Sequence, residues 1–307
     1  MFNLRNIFIL LILFFPLNAQ NAKILVKFKV GDEIVTNIDI SNEKKYLLFL
    51  RPDLSNLEEK EIIKLAEKSL IKEIIKKKEL KRIFKDNNPK IDEQVKKSLF
   101  KFKEVKNEKE FINLAKKNNI KYDKVVEKIK YEGLWNDLIF QKYSPLIKID
   151  KTKLRKELIS KISNDKKYEY NLSEILFEIN TKDKLDTKYK EILDYINLNN
   201  FKTAVTKYSI SNSANFNGEI GWVKETILSN KLNMILEKMK IKDVTKPIKF
   251  PNGYLILKVN DKREIKQKIN IDKEFNELVR YEKNKQLNQF SLLFYKKLKQ
   301  NSQIYEY

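Results

Sequence analysis

The chain has 307 residues, 64 of them Lys or Arg and 42 Asp or Glu, so its net charge is +22, and it contains neither Cys nor His. Without Cys it can form no disulfide, thiol nucleophile or thiolate zinc site. Without His it can form no Ser-His-Asp or Cys-His triad and no imidazole metal site. We therefore expect no metal and no cofactor. Any chemistry has to come from carboxylates, hydroxyls, amines, backbone groups or apolar surface.

The positive charge comes almost entirely from lysine, because only six of the 64 basic residues are Arg. Arg supplies the bidentate fork that reads phosphates and base edges, so its scarcity argues against a nucleic-acid partner. The lysines are interleaved with acidic residues, as in the run from Glu58 to Glu61, which is typical of a solvated helix face. A basic scaffold that binds an anionic surface stays open as an alternative.

Residues 1–19 have the pattern of a secretory signal peptide. The apolar run over 7–15 follows a single basic residue and is shorter than the roughly 20 residues that a membrane-spanning helix needs. Cleavage is predicted after Ala19, with Ala22 as the second choice, and an uncleaved anchor is the alternative. We therefore expect a periplasmic protein without an integral membrane anchor after cleavage.

The elements that follow predict a hairpin and then helices. Two β-rich runs over residues 23–40 flank Gly31-Asp32, a turn sequence. A capping box, Ser55-x-x-Glu58, precedes a helix predicted over 57–84. Four further amphipathic helices are predicted over 92–103, 109–118, 122–143 and 151–162.

The periodicity changes near residue 166, where the sequence predicts a compact α+β block of about 100 residues. Three of the five glycines, Gly218, Gly221 and Gly253, lie there and are expected to mark positive φ angles or close backbone approach. The block's predicted order is a strand over 168–179, helices over 186–197 and 200–208, an amphipathic stretch over 228–239, and strands over 246–250 and 253–259. One long helix over 272–301 follows the block.

Several motifs lie within residues 167–263. They are Ser173-Glu174-Ile175-Leu176, Phe201-x3-Val205-x2-Tyr208-Ser209, Ser213-Ala214, Gly218-Glu219-Ile220-Gly221-Trp222-Val223, Pro247-Ile248 and Gly253-Tyr254-x-Ile256-Leu257-Lys258-Val259. Together they resemble the parvulin, or rotamase, family of peptidyl-prolyl isomerases. The outer parts of the chain are similar to SurA-type periplasmic chaperones, through the hairpin around Gly31 and the helix carrying Trp135.

The resemblance implies an α+β fold. A helical chaperone module, made of an N-terminal hairpin, helices and a returning C-terminal helix, would hold an inserted parvulin-like domain. We expect an N-terminal chaperone domain over 20–165, a parvulin-like domain over 166–263 and a C-terminal segment over 264–307. The C-terminal helix is expected to pack on the N-terminal domain and not on the parvulin block, because its apolar face has no partner inside a closed domain.

The resemblance also locates a degenerate site. By motif position, Glu174 and Leu255 stand where the family has two His residues. Ser211 stands where the family has Cys or Asp, and Asn252 stands where it has the Ser that precedes the last glycine. Substrate binding is expected at Leu228, Leu232 and Tyr254. Glu174 is either a carboxylate with a raised pKa or a hydrogen-bonded residue without a catalytic role. Trp222 is expected to lie in the core. Tyr254 is expected either to lie in the core or to form an aromatic platform for a ligand.

The function implied by the resemblance is that of a periplasmic chaperone for unfolded envelope proteins, outer-membrane β-barrels above all. Because the polar positions are replaced, isomerase activity is expected to be weak or lost. An active peptidyl-prolyl isomerase is the first alternative, and the basic scaffold is the second.

Overall fold

The computed structural model describes residues 23–84, 93, 96–97, 100–101, 103–162, 167–179, 184–265 and 270–307. The expected signal peptide over 1–19 lies outside these residues, as does much of the helix expected over 92–103. Among the described residues, no helix is both long and apolar enough to cross a membrane.

The chain opens with the predicted hairpin, strands β1 (Val26–Val30) and β2 (Glu33–Thr36), which pair antiparallel. The second β-rich run ends earlier than predicted, because Thr36 caps helix α1 (Asn37–Leu50). The Thr36 hydroxyl accepts from the Asp39 amide at 3.3 Å, and the Asp39 carboxylate accepts from the Thr36 amide at 2.8 Å. This reciprocal capping box switches the backbone from strand to helix.

The described residues of the N-terminal part also include the helices α2 (Glu59–Ile83), α3 (Glu108–Lys117), α4 (Tyr122–Tyr143) and α5 (Lys151–Ile162). The capping box predicted at Ser55 and Glu58 is wrong. Ser55 lies in a short 3-10 helix (Pro52–Asn56) and donates its hydroxyl to the Pro52 carbonyl at 2.7 Å. Helix α2 therefore starts without a side-chain cap, although acidic residues in its first turn favour its positive end.

The middle block forms a four-stranded antiparallel sheet with strand order β4-β3-β6-β5. Its elements are β3 (Tyr168–Phe177), α6 (Leu185–Leu198), α7 (Phe201–Tyr208), β4 (Glu219–Lys224), α8 (Asn230–Glu237), β5 (Ile248–Phe250) and β6 (Gly253–Glu264). Strand β4 is not in the predicted order. Gly218, Gly221 and Gly253 all have positive φ, as predicted, and two of them bracket the start of this short edge strand.

The C-terminal helix α9 (Ile271–Gln300) returns to the N-terminal helices and contacts α2, α4 and α5. The indole N–H of Trp135 on α4 donates to the Ser291 hydroxyl on α9 at 2.9 Å, and the same indole stacks on Phe294 at 5.5 Å. After α9, strand β7 (Ile304–Glu306) pairs with β1, so both ends of the described chain share one small sheet.

The parvulin-like block is also in direct contact with the rest of the chain. One apolar cluster includes Leu54 of the N-terminal part together with Ile192 and Val205 of the block. The Arg51 guanidinium donates to the Thr206 hydroxyl at 2.6 Å. Helix α9 also contacts the block, because its Glu277 carboxylate binds Lys224 of β4 at 2.9 Å. The expectation that this helix does not pack on the block is therefore wrong. The α+β architecture of a helical module around an inserted domain is confirmed, whereas the exact boundaries at 165/166 and 263/264 stay predictions.

Candidate functional site

The candidate site lies on one face of the four-stranded sheet. Side chains two apart along a strand share a face, and on this face β3 presents Tyr170, Leu172 and Leu176 to a common apolar cluster with Leu255 and Leu257 of β6. Glu174 lies in the same alternating row, opposite Leu257. The sheet therefore places a single carboxylate in an otherwise apolar surface.

Two serine hydroxyls hold that carboxylate. The Glu174 Oε1 atom accepts hydrogen bonds from Ser211 Oγ at 2.6 Å and from Ser213 Oγ at 2.8 Å, and the two hydroxyl oxygens lie 3.1 Å apart. All three residues are half-buried. The structure thus brings together two of the predicted positions, Glu174 and Ser211, and adds Ser213.

The loop that carries the serines is fixed to β3 by backbone hydrogen bonds. The Ile210 amide donates to the Leu176 carbonyl at 2.7 Å, and the Leu176 amide donates to the Ser209 hydroxyl at 3.2 Å. Ser211 then caps a 3-10 helix (Asn212–Phe216) by accepting from the Ser213 amide. These contacts aim both hydroxyls at Glu174.

Gly218 closes the back of this arrangement. Its φ is +75°, and a Cβ there would lie 2.5 Å from the Glu174 carbonyl oxygen and 2.7 Å from a Val205 methyl group. The Glu174 amide donates to the Gly218 carbonyl at 2.8 Å. A residue with a side chain would force β3 away from the loop, so the glycine is needed for Glu174 to sit where it does.

The predicted apolar floor is present beside the carboxylate. Leu228 and Leu255 are buried in one cluster, and Leu232 on α8 is half-buried against it. Ser229 caps α8 by accepting from the Leu232 amide at 3.3 Å, which fixes the helix over the sheet. The three leucines therefore belong to one apolar cluster on the Glu174 face of the sheet.

Other predicted positions fall elsewhere. Tyr254 projects from the opposite face of the sheet, where its ring lies 5.9 Å from Phe177, so it cannot line one pocket with Leu228 and Leu232. Asn252 lies in the turn between β5 and β6. It is five residues from Leu257, or about 16 Å along a strand, and does not join the Glu174 cluster.

The expectation that Trp222 lies in the core is wrong. Its side chain is 38% exposed on the edge strand β4, and the Arg263 guanidinium carbon lies 3.9 Å from the ring centroid. Trp222 pairs with Asn171 across the two strands. Asn171 is next to the core residue Tyr170 in β3, so its side chain lies on the opposite face of the sheet. The indole therefore covers the outer face of the sheet, where stacking on Arg replaces burial.

A cleft of about 480 Å³ lies beside α8. Ile235, Met239 and Ile248 supply its apolar lining, and Lys231 and Lys246 also line it. Among the described residues no group of three carboxylates could hold a metal ion.

Comparison with known proteins identifies the domain that carries this cluster. Residues 174–261 match the PPIC-type PPIASE domain of the rotamase family, so the chain contains a PPIC-type parvulin domain. Its sequence relatives include "Chaperone SurA" of Pseudomonas putida, 41% identical over 59 residues, and of Pseudomonas aeruginosa, 39% identical over 59 residues. That stretch covers 18% of this chain and 14% of each relative. The resemblance to SurA-type proteins with a parvulin domain is confirmed.

Solved structures similar to the chain include the SurA-like chaperones of Campylobacter jejuni described as PEB4 and the periplasmic protein Cj1289. The match has 15% identity, covers 92% of this chain and 98% of that chain, and has a TM-score of 0.38. PrsA of Bacillus subtilis matches with 18% identity over 91% of both chains and a TM-score of 0.29. A PpiC-type isomerase domain matches with 24% identity, covering 32% of this chain and 93% of its own, with a TM-score of 0.28.

The chemistry available in this site is that of a hydrogen-bond acceptor. A carboxylate can only accept, and the hydroxyl protons of Ser211 and Ser213 are directed at Glu174. Leu255, two residues from the position opposite Glu174, offers no polar atom. The site therefore presents negative charge and apolar surface, which suit backbone N–H groups and apolar side chains of a bound peptide. Among the described side chains of this cluster, Glu174, Ser211, Ser213 and the leucines, none has a donor left for a prolyl carbonyl oxygen.

Proposed function

We propose that this protein is a chaperone that holds unfolded polypeptides of the cell envelope, and that its parvulin domain binds peptides but isomerises prolyl bonds poorly. The observation that carries the proposal is the Glu174–Ser211–Ser213 cluster set in an apolar floor. Ring and aliphatic side chains of a client would rest on the leucines, and an adjacent N–H would donate to Glu174. The confirmed parvulin domain and the resemblance to SurA chaperones support this reading.

The class of client follows from the same surface. The strands of outer-membrane β-barrels alternate apolar and polar residues. In an extended unfolded segment, every second side chain is therefore apolar and could contact the leucines, while Glu174 accepts a hydrogen bond from the segment. We propose the periplasm as the compartment, on the apolar segment over 7–15 in the sequence and the resemblance to SurA. Export by a signal peptide cleaved after Ala19 is part of the proposal, and mass spectrometry of the exported protein tests it.

The test compares two substitutions on one helix. Leu232→Asp places a carboxylate on the half-buried apolar floor, whereas Met234→Asp places the same group at a position that is 61% exposed. We expect Leu232→Asp to weaken binding of a short apolar peptide with an aromatic-Pro pair at least tenfold and to impair suppression of barrel-protein aggregation. Met234→Asp should change neither. Equal behaviour of the two variants, with melting temperatures unchanged, would refute the proposed floor.

The two alternatives make different predictions for the same preparation. The family match favours an active isomerase, which would accelerate prolyl isomerisation at the rate of a His-bearing parvulin. The lysine-rich surface favours a scaffold for anionic partners, whose binding would fall steeply as salt rises. Client binding driven by apolar contact should stay nearly constant from 50 to 200 mM salt, about the range in which phosphate-driven binding collapses.

A further inference from the structure

The cleft beside α8 lies along a free edge of the domain's sheet. Strand β5 is the last strand in the order β4-β3-β6-β5, so no further strand of the described chain pairs with its outer side. Residues 243–248, which lead into β5, line the cleft together with Lys231, Ile235 and Met239. These three residues are spaced by four, so they form one row along α8 and the turn that follows it. The cleft therefore lies between one row of a helix and the segment that leads to an edge strand.

Main-chain groups of β5 point towards this open edge. Phe250 pairs with Gly253 across a two-residue turn, and Lys249 pairs with Tyr254. Hydrogen-bonded and non-hydrogen-bonded pairs alternate along an antiparallel ladder, and the pair that closes a two-residue turn is hydrogen-bonded. The pair of Lys249 and Tyr254 is therefore not hydrogen-bonded. The N–H and C=O groups of Lys249 point away from β6, to the side where the sheet ends.

The segment before β5 continues the same edge. The Thr245 amide donates to the Leu257 carbonyl of β6 at 2.8 Å, and the Leu257 amide donates to the Thr245 hydroxyl at 2.9 Å. The Asp243 carbonyl accepts from the Val259 amide at 3.0 Å. Val244 lies between these two bonded residues, so its own N–H and C=O also point away from β6. The edge is fixed before any partner arrives, which reduces the ordering that binding requires.

The edge carries positive charge that its own chain does not neutralise. Lys231, Lys246 and Lys249 are exposed, and none of them has a salt-bridge partner among the described residues. The carboxylate of Asp243, which also lines the cleft, accepts from a main-chain amide of its own loop at 2.7 Å. Residues 230–249 contain six lysines and two acidic residues. A second copy of this basic chain would be repelled from the edge, whereas a segment with acidic side chains would be attracted.

We propose that the groove between α8 and the β5 edge is a second site for unfolded clients, which takes an extended segment of alternating apolar and acidic residues as an added strand. The inference rests on the proposed chaperone function. The main chain of the segment bonds to Val244 and Lys249, in the mode of strand addition. Ile248 and Lys249 face opposite sides of the sheet. Apolar side chains therefore enter the cleft beside Ile248, and acidic side chains lie beside Lys249.

This site is separate from the Glu174 cluster. Glu174 lies on β3, and β6 lies between β3 and β5. Neighbouring strands are about 4.8 Å apart, so a strand added beyond β5 lies three spacings, or roughly 14 Å, from β3. The cleft's volume of about 480 Å³ falls in the range of about 300–1,000 Å³ that is typical of ligand pockets. The domain therefore has room for two parts of one client at once.

The first test uses a labelled nine-residue peptide in which valine and glutamate alternate. The edge variant, Lys246→Glu with Lys249→Glu, reverses the charge of the edge. Its control, Lys190→Glu with Lys238→Glu, changes the net charge by the same amount at exposed positions of the same domain outside the cleft. By fluorescence anisotropy at low salt, we expect the edge variant to bind the peptide at least tenfold more weakly than the native protein and the control to bind it within about twofold. Equal binding by the edge variant and the control would overturn the site.

N-methylation of the peptide tests the added strand in the native protein. Successive residues of a strand direct their N–H groups to opposite edges. One form of the peptide carries methyl groups on three valine nitrogens, and the other carries them on three glutamate nitrogens. Only one edge of the peptide pairs with β5, so one form should bind at least tenfold more weakly while the other keeps its affinity. Equal effects of the two methylation patterns would refute strand addition.

A second peptide separates this inference from the proposed function. The aromatic-Pro peptide should bind the edge variant normally and lose affinity in Leu232→Asp, whereas the alternating peptide should show the reverse. A native protein that binds the aromatic-Pro peptide but not the alternating peptide would overturn the second site and leave the proposed function intact. A native protein that binds neither peptide would overturn both.

Discussion

Ser211 donates its hydroxyl proton to Glu174 at 2.6 Å, so two of the four residues at the polar motif positions of the domain are bonded to each other. A second donor, Ser213, reaches the same oxygen at 2.8 Å. The two hydrogen bonds satisfy a carboxylate that lies in a row of apolar side chains. Without them, partial burial of the Glu174 carboxylate would destabilise the folded protein. The pair therefore stabilises the loop and also fixes the charge that the groove presents.

The first prediction concerns these two hydroxyls. Ser211→Ala and Ser213→Ala should each lower the free energy of unfolding by about 1 kcal/mol, the usual worth of one hydrogen bond. The double variant should lose more than the sum, because it leaves a half-buried carboxylate without either donor. Urea unfolding followed by fluorescence measures this.

Ser41→Ala, at an exposed position of α1, is the matched control and should leave stability nearly unchanged. Additive or smaller losses in the double variant would show that water replaces the hydroxyls at Glu174. In that case the cluster would not be a preorganised site.

The second prediction concerns the anchor of the C-terminal helix. Trp135→Phe keeps the aromatic stack on Phe294 but removes the donor to Ser291. Each of Trp135→Phe and Ser291→Ala should cost about 1 kcal/mol or more, since it leaves a buried polar group unpaired or removes buried volume. Thermal unfolding of the two single variants and the double variant gives their coupling energy.

A favourable coupling of about 0.5–1.5 kcal/mol is expected for a direct buried hydrogen bond. Phe294→Ala, which opens a cavity in the same cluster, should cost more, about 3 kcal/mol. No coupling between Trp135 and Ser291 would contradict the assignment of α9 to the N-terminal helices as its stable partner.

The third prediction is a pH dependence that comes from Lys76. Its ammonium group is buried on α2, bonded to both Glu132 oxygens at 2.9 and 2.7 Å, with the Trp135 ring centroid at 5.0 Å. Burial lowers the pKa of Lys76 to about 8, although Glu132 opposes the shift. The unfolded chain therefore binds more protons at this residue than the folded chain does between about pH 8 and the ordinary lysine range near 10.4.

Stability contributed by Lys76 therefore rises with pH across that interval, by at most about 1.4 kcal/mol per pH unit. The free energy of unfolding of the native protein, minus that of Lys76→Met, should increase from pH 8 to pH 10. Lys78→Met, at an exposed position of the same helix, should show no such trend. A difference that stays flat or falls would mean that Lys76 stays fully charged in the folded protein.

Apart from α1, the described helices of the outer module could be predicted from sequence because apolar residues recur along them at helical spacing. Helices α4 and α5 begin and end where the pattern predicts. Strand β4 was missed because it is short, lies at the edge of the sheet and contains Gly221. Helix α1 was missed because Thr36 and Asp39 follow a β-rich run without a break, and only their reciprocal hydrogen bonds end the strand.

The sequence could predict which residue types lie in the site but not which of them form hydrogen bonds or share a face of the sheet. Motif position placed Glu174 and Ser211 in one site, whereas Ser213 joins them only because a 3-10 helix turns its hydroxyl inward. Tyr254 was misplaced because assigning it to a face of the sheet requires the register with Phe177. The contact between Asn212 and Asn288 joins residues far apart in sequence, and no local pattern encodes it.

The central claim is that the groove binds peptides without a donor for the prolyl bond, and one rate measurement tests it most directly. Uncatalysed isomerisation takes roughly tens to hundreds of seconds, so catalysis of an aromatic-Pro peptide is readily seen. The assay is run on the native protein, and binding of the same peptide is measured beside it. We predict that the protein binds the peptide but accelerates its isomerisation far less than a His-bearing parvulin. A native protein that isomerises the peptide as fast as a His-bearing parvulin would contradict the claim.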